Sequence, residues 1–277
     1  MRVVGLDWAV CPSDRAAVVL EKREDNSITV ADVITPVDND AAIALCECAA
    51  NNVVAVDIPF AWPIEFRDFV SRWRPCCVDA RNPPGNMGFR YRSTDRFVHE
   101  KTGKWPLSVS TNLFALGALE WASIVHLRNL GRQIVVKTNP EAGIKLPAII
   151  EVYPGATLKS FENYELPEVS GTSTRITEQG ETAIEKSYSY KTDEQTRRAL
   201  VTSIIAAFDI DADKTTIDKI VSRGKKDHAT DGLLAAITAM MYRSAINGWT
   251  TYQPNDEQIA NAESEGWIFF PEKIRNT

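Results

Sequence analysis

The amino-acid sequence predicts an α/β protein built on a mixed sheet, and three observations carry that prediction. Three apolar runs end on or beside an acidic residue: Val3-Val4-Gly5-Leu6-Asp7, Val53-Val54-Ala55-Val56-Asp57 and Ala148-Ile149-Ile150-Glu151. Unbroken runs of this kind mark strands buried on both faces, as parallel strands are. The first run is followed by two more strand-like stretches across short polar turns, the pattern of antiparallel hairpins. Stretches of helical periodicity separate the remaining runs.

Taken in order, 2–8, 16–22 and 27–33 read as three antiparallel strands, with turns at Asp14-Arg15 and Glu24-Asp25-Asn26. A helix follows over 38–51, opened by Asp38 or Asn39 as its N-cap, and leads into the strand ending at Asp57. From 60 to 145 the pattern changes to a large, mostly helical insertion. It holds a short helix at 65–73, a long loop with Asn82-Pro83-Pro84-Gly85, and a helix over 110–130 with Leu113, Leu116, Leu119 and Trp121 on its buried side. Ile134-Val135-Val136 reads as a further strand. After the Glu151 strand, 160–190 is a second, polar insertion, expected to be mobile and only locally structured. A helix over 193–208, a last long helix from Lys225 and two extended segments at 249–252 and 266–271 complete a single domain over 1–277. There is no internal repeat, which argues against a solenoid or propeller.

Composition narrows the class. The 277 residues are 44% hydrophobic and 25% charged, as expected of a soluble globular protein, and no apolar run nears the roughly 18 residues of a membrane helix. Five cysteines without C-x-x-C spacing, and no signal-peptide pattern at the N-terminus, point to the cytoplasm and against a structural zinc. A formal net charge of −6 argues against a general nucleic-acid binder with a basic face, but allows a local basic channel and suits a cation-binding carboxylate cluster.

The candidate chemistry lies in the acids. In α/β sheets, sites form at the carboxyl ends of the strands, which places Asp7, Asp57 and Glu151 at one rim. Asp227 and Asp231 are four apart and share a helix face; simple helix-start acids are the competing reading. Ala235, Ala236 and Ala239 would let that helix lie close to the sheet. Arg92 and Asp95 form a second cluster, either a phosphate contact or an ion pair pinning the insertion to the core. Lys225 and Lys226 are further candidates for phosphate. Tyr91, Phe97 and Trp105 could stack bases or form a small core of their own. A triad from Ser108 or Ser110, His99 and Asp95 lacks a nucleophile motif.

In order along nearly the whole chain, Gly5-Leu6-Asp7-Trp8-Ala9, Ala55-Val56-Asp57-Ile58-Pro59, Arg92-Ser93-Thr94-Asp95, Glu151-Val152-Tyr153-Pro154, Asp231-Gly232 and Glu265-Gly266-Trp267-Ile268 resemble the DUF429 family of predicted nucleases. That resemblance implies an RNase H-like mixed sheet: three antiparallel strands, then parallel strands, flanked by helices, with the fourth strand returning beside the first. The last helix is similar to that of RuvC-type resolvases, with Gly232 in place of the more usual alanine. The implied activity is phosphodiester hydrolysis of a nucleic acid or nucleotide. Asp7, Asp57 and Asp231 would hold Mg²⁺ or Mn²⁺, two ions about 4 Å apart, and Glu151 and Asp227 would ligate or orient water.

Two other functions compete. A phosphotransferase of the actin-like type needs a glycine-rich phosphate loop after the first strand and a second copy of the core. Residues 8–13 contain no glycine, and no second copy exists. A non-catalytic nucleic-acid- or protein-binding module on the same fold is the other alternative, and Mn²⁺ binding separates it from the nuclease.

Overall fold

A computed structural model of the chain describes residues 1–47, 52–72, 86–110, 114–137, 146–162, 170–176, 182–221 and 227–274. Strands β1 (Arg2–Asp7), β2 (Ala16–Lys22) and β3 (Ile28–Ile34) form an antiparallel meander. Helix α1 (Asn39–Glu47) starts where Asp38 accepts the Ala41 N–H at 2.8 Å, so the expected cap is in place. It returns the chain to β4 (Val53–Asp57), which pairs parallel with β1.

Four α-helices are described between β4 and the next strand: α2 (Ile64–Arg72), α3 (Asn86–Arg90), α4 (Ser93–Thr102) and α5 (Phe114–Leu127). In α5 the buried positions are Gly117, Ala118, Trp121 and Ile124. Leu116 and Leu119, expected inward, are 52% and 53% exposed. At 100° per residue they stand nearly opposite Trp121, and the bulk of that one ring sets which face turns inward. Leu113 lies outside the described residues. The strand expected at Ile134 is reduced to a single bridge to Ile149.

Strand β5 (Ala148–Val152) extends the sheet beside β4. Helix α6 (Pro154–Glu162) and an antiparallel hairpin, β6 (Ser170–Ile176) and β7 (Thr182–Ser189), follow. The stretch expected to be mobile thus contains a hairpin, and Thr, Ile and Tyr, residues of good strand propensity, recur in it. Beyond it come α7 (Glu194–Ala207), β8 (Ile210–Asp211), α8 (Lys214–Val221), α9 (His228–Arg243), β9 (Trp249–Thr251), α10 (Asp256–Glu265), β10 (Ile268–Phe269) and β11 (Pro271–Lys273).

The main sheet has the order β10-β5-β4-β1-β2-β3-β8. Three antiparallel strands are followed by parallel ones, with the fourth beside the first, and helices cover both faces. That arrangement is consistent with the RNase H-like one. Side chains alternate between the faces. Val3, Val53 and Ile150 join one core with α9, while Val4, Val54 and Ile149 join another with α1 and α5.

Helix α9 is the buried spine of the first core. Leu233, Leu234 and Ile237 are fully enclosed, each stabilising the fold by roughly 1.5–3 kcal/mol. Its approach to β1 is set by Gly5. A Cβ there would lie 2.1 Å from the Gly232 carbonyl oxygen and 2.2 Å from the Ala236 amide nitrogen. Only glycine allows the helix backbone to rest on the strand backbone at this point. A Cβ at Gly232 would meet its nearest neighbours at ordinary contact distance, so the glycine of the strand, rather than that of the helix, governs the packing.

Candidate active site

Three elements bring carboxylates to one end of the sheet. Asp7 closes β1 and Asp57 closes β4, and the two are register partners in the parallel pair. Register partners project to the same face, and this is the face that α9 covers. The close approach at Gly5 then sets Asp231, in the first turn of α9, beside them. All three line one cavity of about 390 Å³, together with Asp227 and His228.

Each acid has a different partner. His228 Nδ1 lies 2.6 Å from Asp7 Oδ2. Asp231 accepts from the Tyr190 hydroxyl at 2.9 Å and from Lys191 Nζ at 2.9 Å. Lys191 Nζ is also 3.0 Å from Asp227 Oδ2. Asp227 occupies the N-cap position of α9, yet its side chain caps no helix amide, so the plain capping reading does not apply to it. Asp57 has no hydrogen-bond or ion-pair partner among the described residues.

The electrostatics follow from this geometry. Burial pushes Asp7 above the usual carboxylate range, against the pull of His228. Burial, then the charges of Asp7 and Asp231, pushes Asp57 well up. Burial carries Asp231 to about 7, with Lys191 opposing. Burial works against the charged form of His228, but the bond to Asp7 outweighs it and raises the ring. Lys191 is likewise raised, Asp231 overcoming its burial. For all three acids burial is the largest cause, and the charge of neighbouring carboxylates adds to it.

Residues 5–258 match the family described as "Protein of unknown function (DUF429)". The chain belongs to the DUF429 family. No curated protein and no solved structure gave a match. The matched span contains the end of β1 with Asp7, and all of β4, β5 and α9, so each of these carboxylates lies on family sequence.

Three of the expected residues, Glu151, Arg92 and Asp95, fall elsewhere in this DUF429 chain. Glu151 pairs in register with Val56 rather than Asp57, and one residue of offset turns its side chain to the opposite face. There it accepts two bonds from Arg92, at 2.6 and 2.9 Å, and one from the Phe60 amide at 3.0 Å. Arg92 is 1% exposed. Its Nε and Nη2 reach Asp95 at 3.1 and 2.9 Å, and Nη1 also reaches the Glu265 carbonyl at 3.0 Å. All five guanidinium N–H groups are thereby engaged. Arg92 and Asp95 pin α4 to the sheet and to the end of α10; they do not face phosphate.

Lys225 and Lys226 lie outside the described residues. Phe97 packs with Tyr252, Trp267 and Phe270, and Tyr91 and His99 stack on Trp105, so these rings form small cores. Ser108 and Ser110 donate to the Arg90 and Phe89 carbonyls, leaving no serine on His99. No helix among the described residues is long and apolar enough to cross a membrane.

Sequence reasoning missed Lys191, Tyr190 and His228 as site residues. His228 had a readable signal, since it sits between Asp227 and Asp231 at the start of the helix. Lys191 and Tyr190 had none, because they reach the site from the end of β7 across some forty positions of sequence. Arg15, equally unanticipated, is fully buried under the loop after β1. It pairs with Glu120 at 2.6 Å, bonds the Ala9 carbonyl and lies 3.7 Å from the Trp8 ring centre, which holds that loop against α5.

Proposed function

We propose that this protein is a divalent-metal-dependent hydrolase of phosphodiester bonds. One observation carries the reading: carboxylates from β1, β4 and α9 converge on a single cavity with their charge under-compensated. Among the described residues no three or more His, Cys, Asp or Glu side chains are arranged to hold a metal ion as they stand. Lys191 and His228 instead supply the positive charge. The donor chemistry nonetheless fits a hard cation. The three acids offer only oxygen, and Asp57 is half-buried at the cavity with no partner among the described residues. Asp7, Asp57 and Asp231 would hold Mg²⁺ or Mn²⁺, with Lys191 giving up its place on Asp231.

When bound, such an ion supplies Lewis-acid stabilisation of the charge developing on the phosphodiester oxygens. The remaining roles belong to the chain. Tyr190 fixes the Asp231 carboxylate by its hydrogen bond. His228 fixes Asp7 and, as a titratable group at the cavity, can move a proton there. Lys191 can meet a non-bridging phosphate oxygen once released from Asp231.

The test pairs metal binding with turnover. Mn²⁺ titration by calorimetry should give saturable binding that Asp57→Asn abolishes without loss of folded protein. Mn²⁺-dependent cleavage of single-stranded and duplex DNA and RNA should vanish in the same variant. Mn²⁺ binding with no cleavage of any of these substrates, or cleavage that survives Asp57→Asn, would overturn the reading.

A further inference from the structure

The carboxylates stand at the junction of two cavities of opposite character. The first, of about 390 Å³, has apolar walls from Trp8, Val10, Ile58 and Phe114, and within it five aspartates face one lysine and His228. The second, of about 120 Å³, is lined by Lys104, Lys159, Lys191 and Tyr153. In it three lysines face two aspartates. Asp57, Lys191 and Asp231 line both. The lysines come from separate places: Lys104 just beyond α4, Lys159 from α6 and Lys191 beyond β7. The basic character of the second cavity is therefore a product of the fold, on a chain of net charge −6.

We propose that the two cavities form one path for an unpaired polynucleotide strand, with a base in the apolar arm and the neighbouring phosphate in the lysine arm. This rests on the phosphodiester reading for the placing of the bond to be cut, between the arms at Asp57 and Asp231. A nucleic-acid strand alternates a flat apolar group with an anion, which is the alternation the two arms present. The apolar arm is large enough for one base on an aromatic wall and too small for a stacked, paired duplex. A phosphate is attracted to the arm with three lysines, and this fixes the direction in which the strand is laid down.

The experiment measures binding separately from cleavage. Fluorescein-labelled decamers of deoxythymidine and of uridine, an abasic deoxyribose-phosphate decamer, and a blunt DNA duplex are titrated by anisotropy in Ca²⁺. Wild-type protein, Lys104→Ala and Lys104→Ala/Lys159→Ala are compared, with a melting curve for each. At least one of the two single strands should bind about tenfold or more tightly than the duplex and than the abasic strand. The double variant should lose about tenfold, and its log-affinity against log-salt slope should flatten by about 0.7, the share of the one phosphate held in the lysine arm. Lys104→Ala keeps the test valid if Lys159 proves to matter for folding.

Unchanged affinity in the lysine variants, or equal affinity for duplex and single strand, overturns the path whether or not the protein cleaves. Lysine-dependent single-strand binding without Mn²⁺-dependent cleavage supports the path and removes only the hydrolysis. Cleavage that depends on Asp57 but not on the lysines does the reverse.

Discussion

Two buried clusters of charge sit near the same end of the sheet, one on each face, and they are built on opposite principles. On one face Arg92 meets Asp95 and Glu151 with every guanidinium proton engaged. Glu265 closes the same cluster by accepting the Ile64 and Ser93 amides at 2.8 Å. On the other face Asp7 meets His228 and Asp231 meets Lys191, and Asp57 has no hydrogen-bond or ion-pair partner among the described residues. Saturated charge of the first kind holds elements together and leaves nothing to offer a ligand. Under-compensated charge of the second kind costs stability, and a fold keeps such a cost where the charge has work to do.

The largest effect should come from breaking the saturated cluster. Arg92→Ala leaves Asp95 and Glu151 buried without their cation, a change that costs about 3–5 kcal/mol. Urea unfolding should report that loss, or a protein too unstable to purify. A variant of near wild-type stability with weakened substrate binding would reverse the roles assigned to the two clusters.

The second test uses pH on the protein without divalent metal. Asp231 ionises at about 7 in the folded chain, against 3.8 as the ordinary value. Between those values the folded state binds more protons than the unfolded state, so stability falls as pH rises. Asp231 alone contributes up to about 4 kcal/mol of that fall at the full difference. Denaturant midpoints should therefore drop from about pH 4 to about pH 7, and Asp231→Asn should flatten the slope. Added Mn²⁺ should restore stability at pH 7, because cation binding acts on the folded state alone. A stability that rises over this range would contradict the under-compensated reading.

These clusters also mark what the sequence could and could not tell. The strands were legible because unbroken runs such as Val53-Val54-Ala55-Val56 have no other comfortable place than a buried sheet. The convergence of Asp7, Asp57 and Asp231 was legible because two acids closed their strands and the third opened an alanine-rich helix. Glu151 looked equivalent, but register is a property of paired strands. A single residue of offset, Val56 opposite Glu151, put it on the other face. The burial of Arg92 was one of two readings, and only tertiary contacts with α10 and β5 decide between them. Lys191 was beyond reach, since nothing local in a polar stretch says that its ammonium lies against a helix some forty residues later.

The smallest effect belongs to Tyr190. Its hydroxyl donates to Asp231 Oδ1 at 2.9 Å, and a donor to a carboxylate favours the ionised form. Tyr190→Phe removes that donor while keeping the ring, so the fold should lose about 1.5–3 kcal/mol, the range for a bond to a charged group. Asp231 should then hold its proton to a higher pH than in the wild type. If a divalent cation binds the ionised carboxylate, binding must release that proton, and affinity near pH 7 should fall in the variant. Well above pH 7, where Asp231 is ionised in both proteins, the two affinities should converge. Mn²⁺ titrations from pH 6 to pH 9 read this directly: curves that separate below neutrality and meet above it place Asp231 among the ligands. A constant offset at every pH would make Tyr190 a packing residue, and identical curves throughout would remove Asp231 from the metal site.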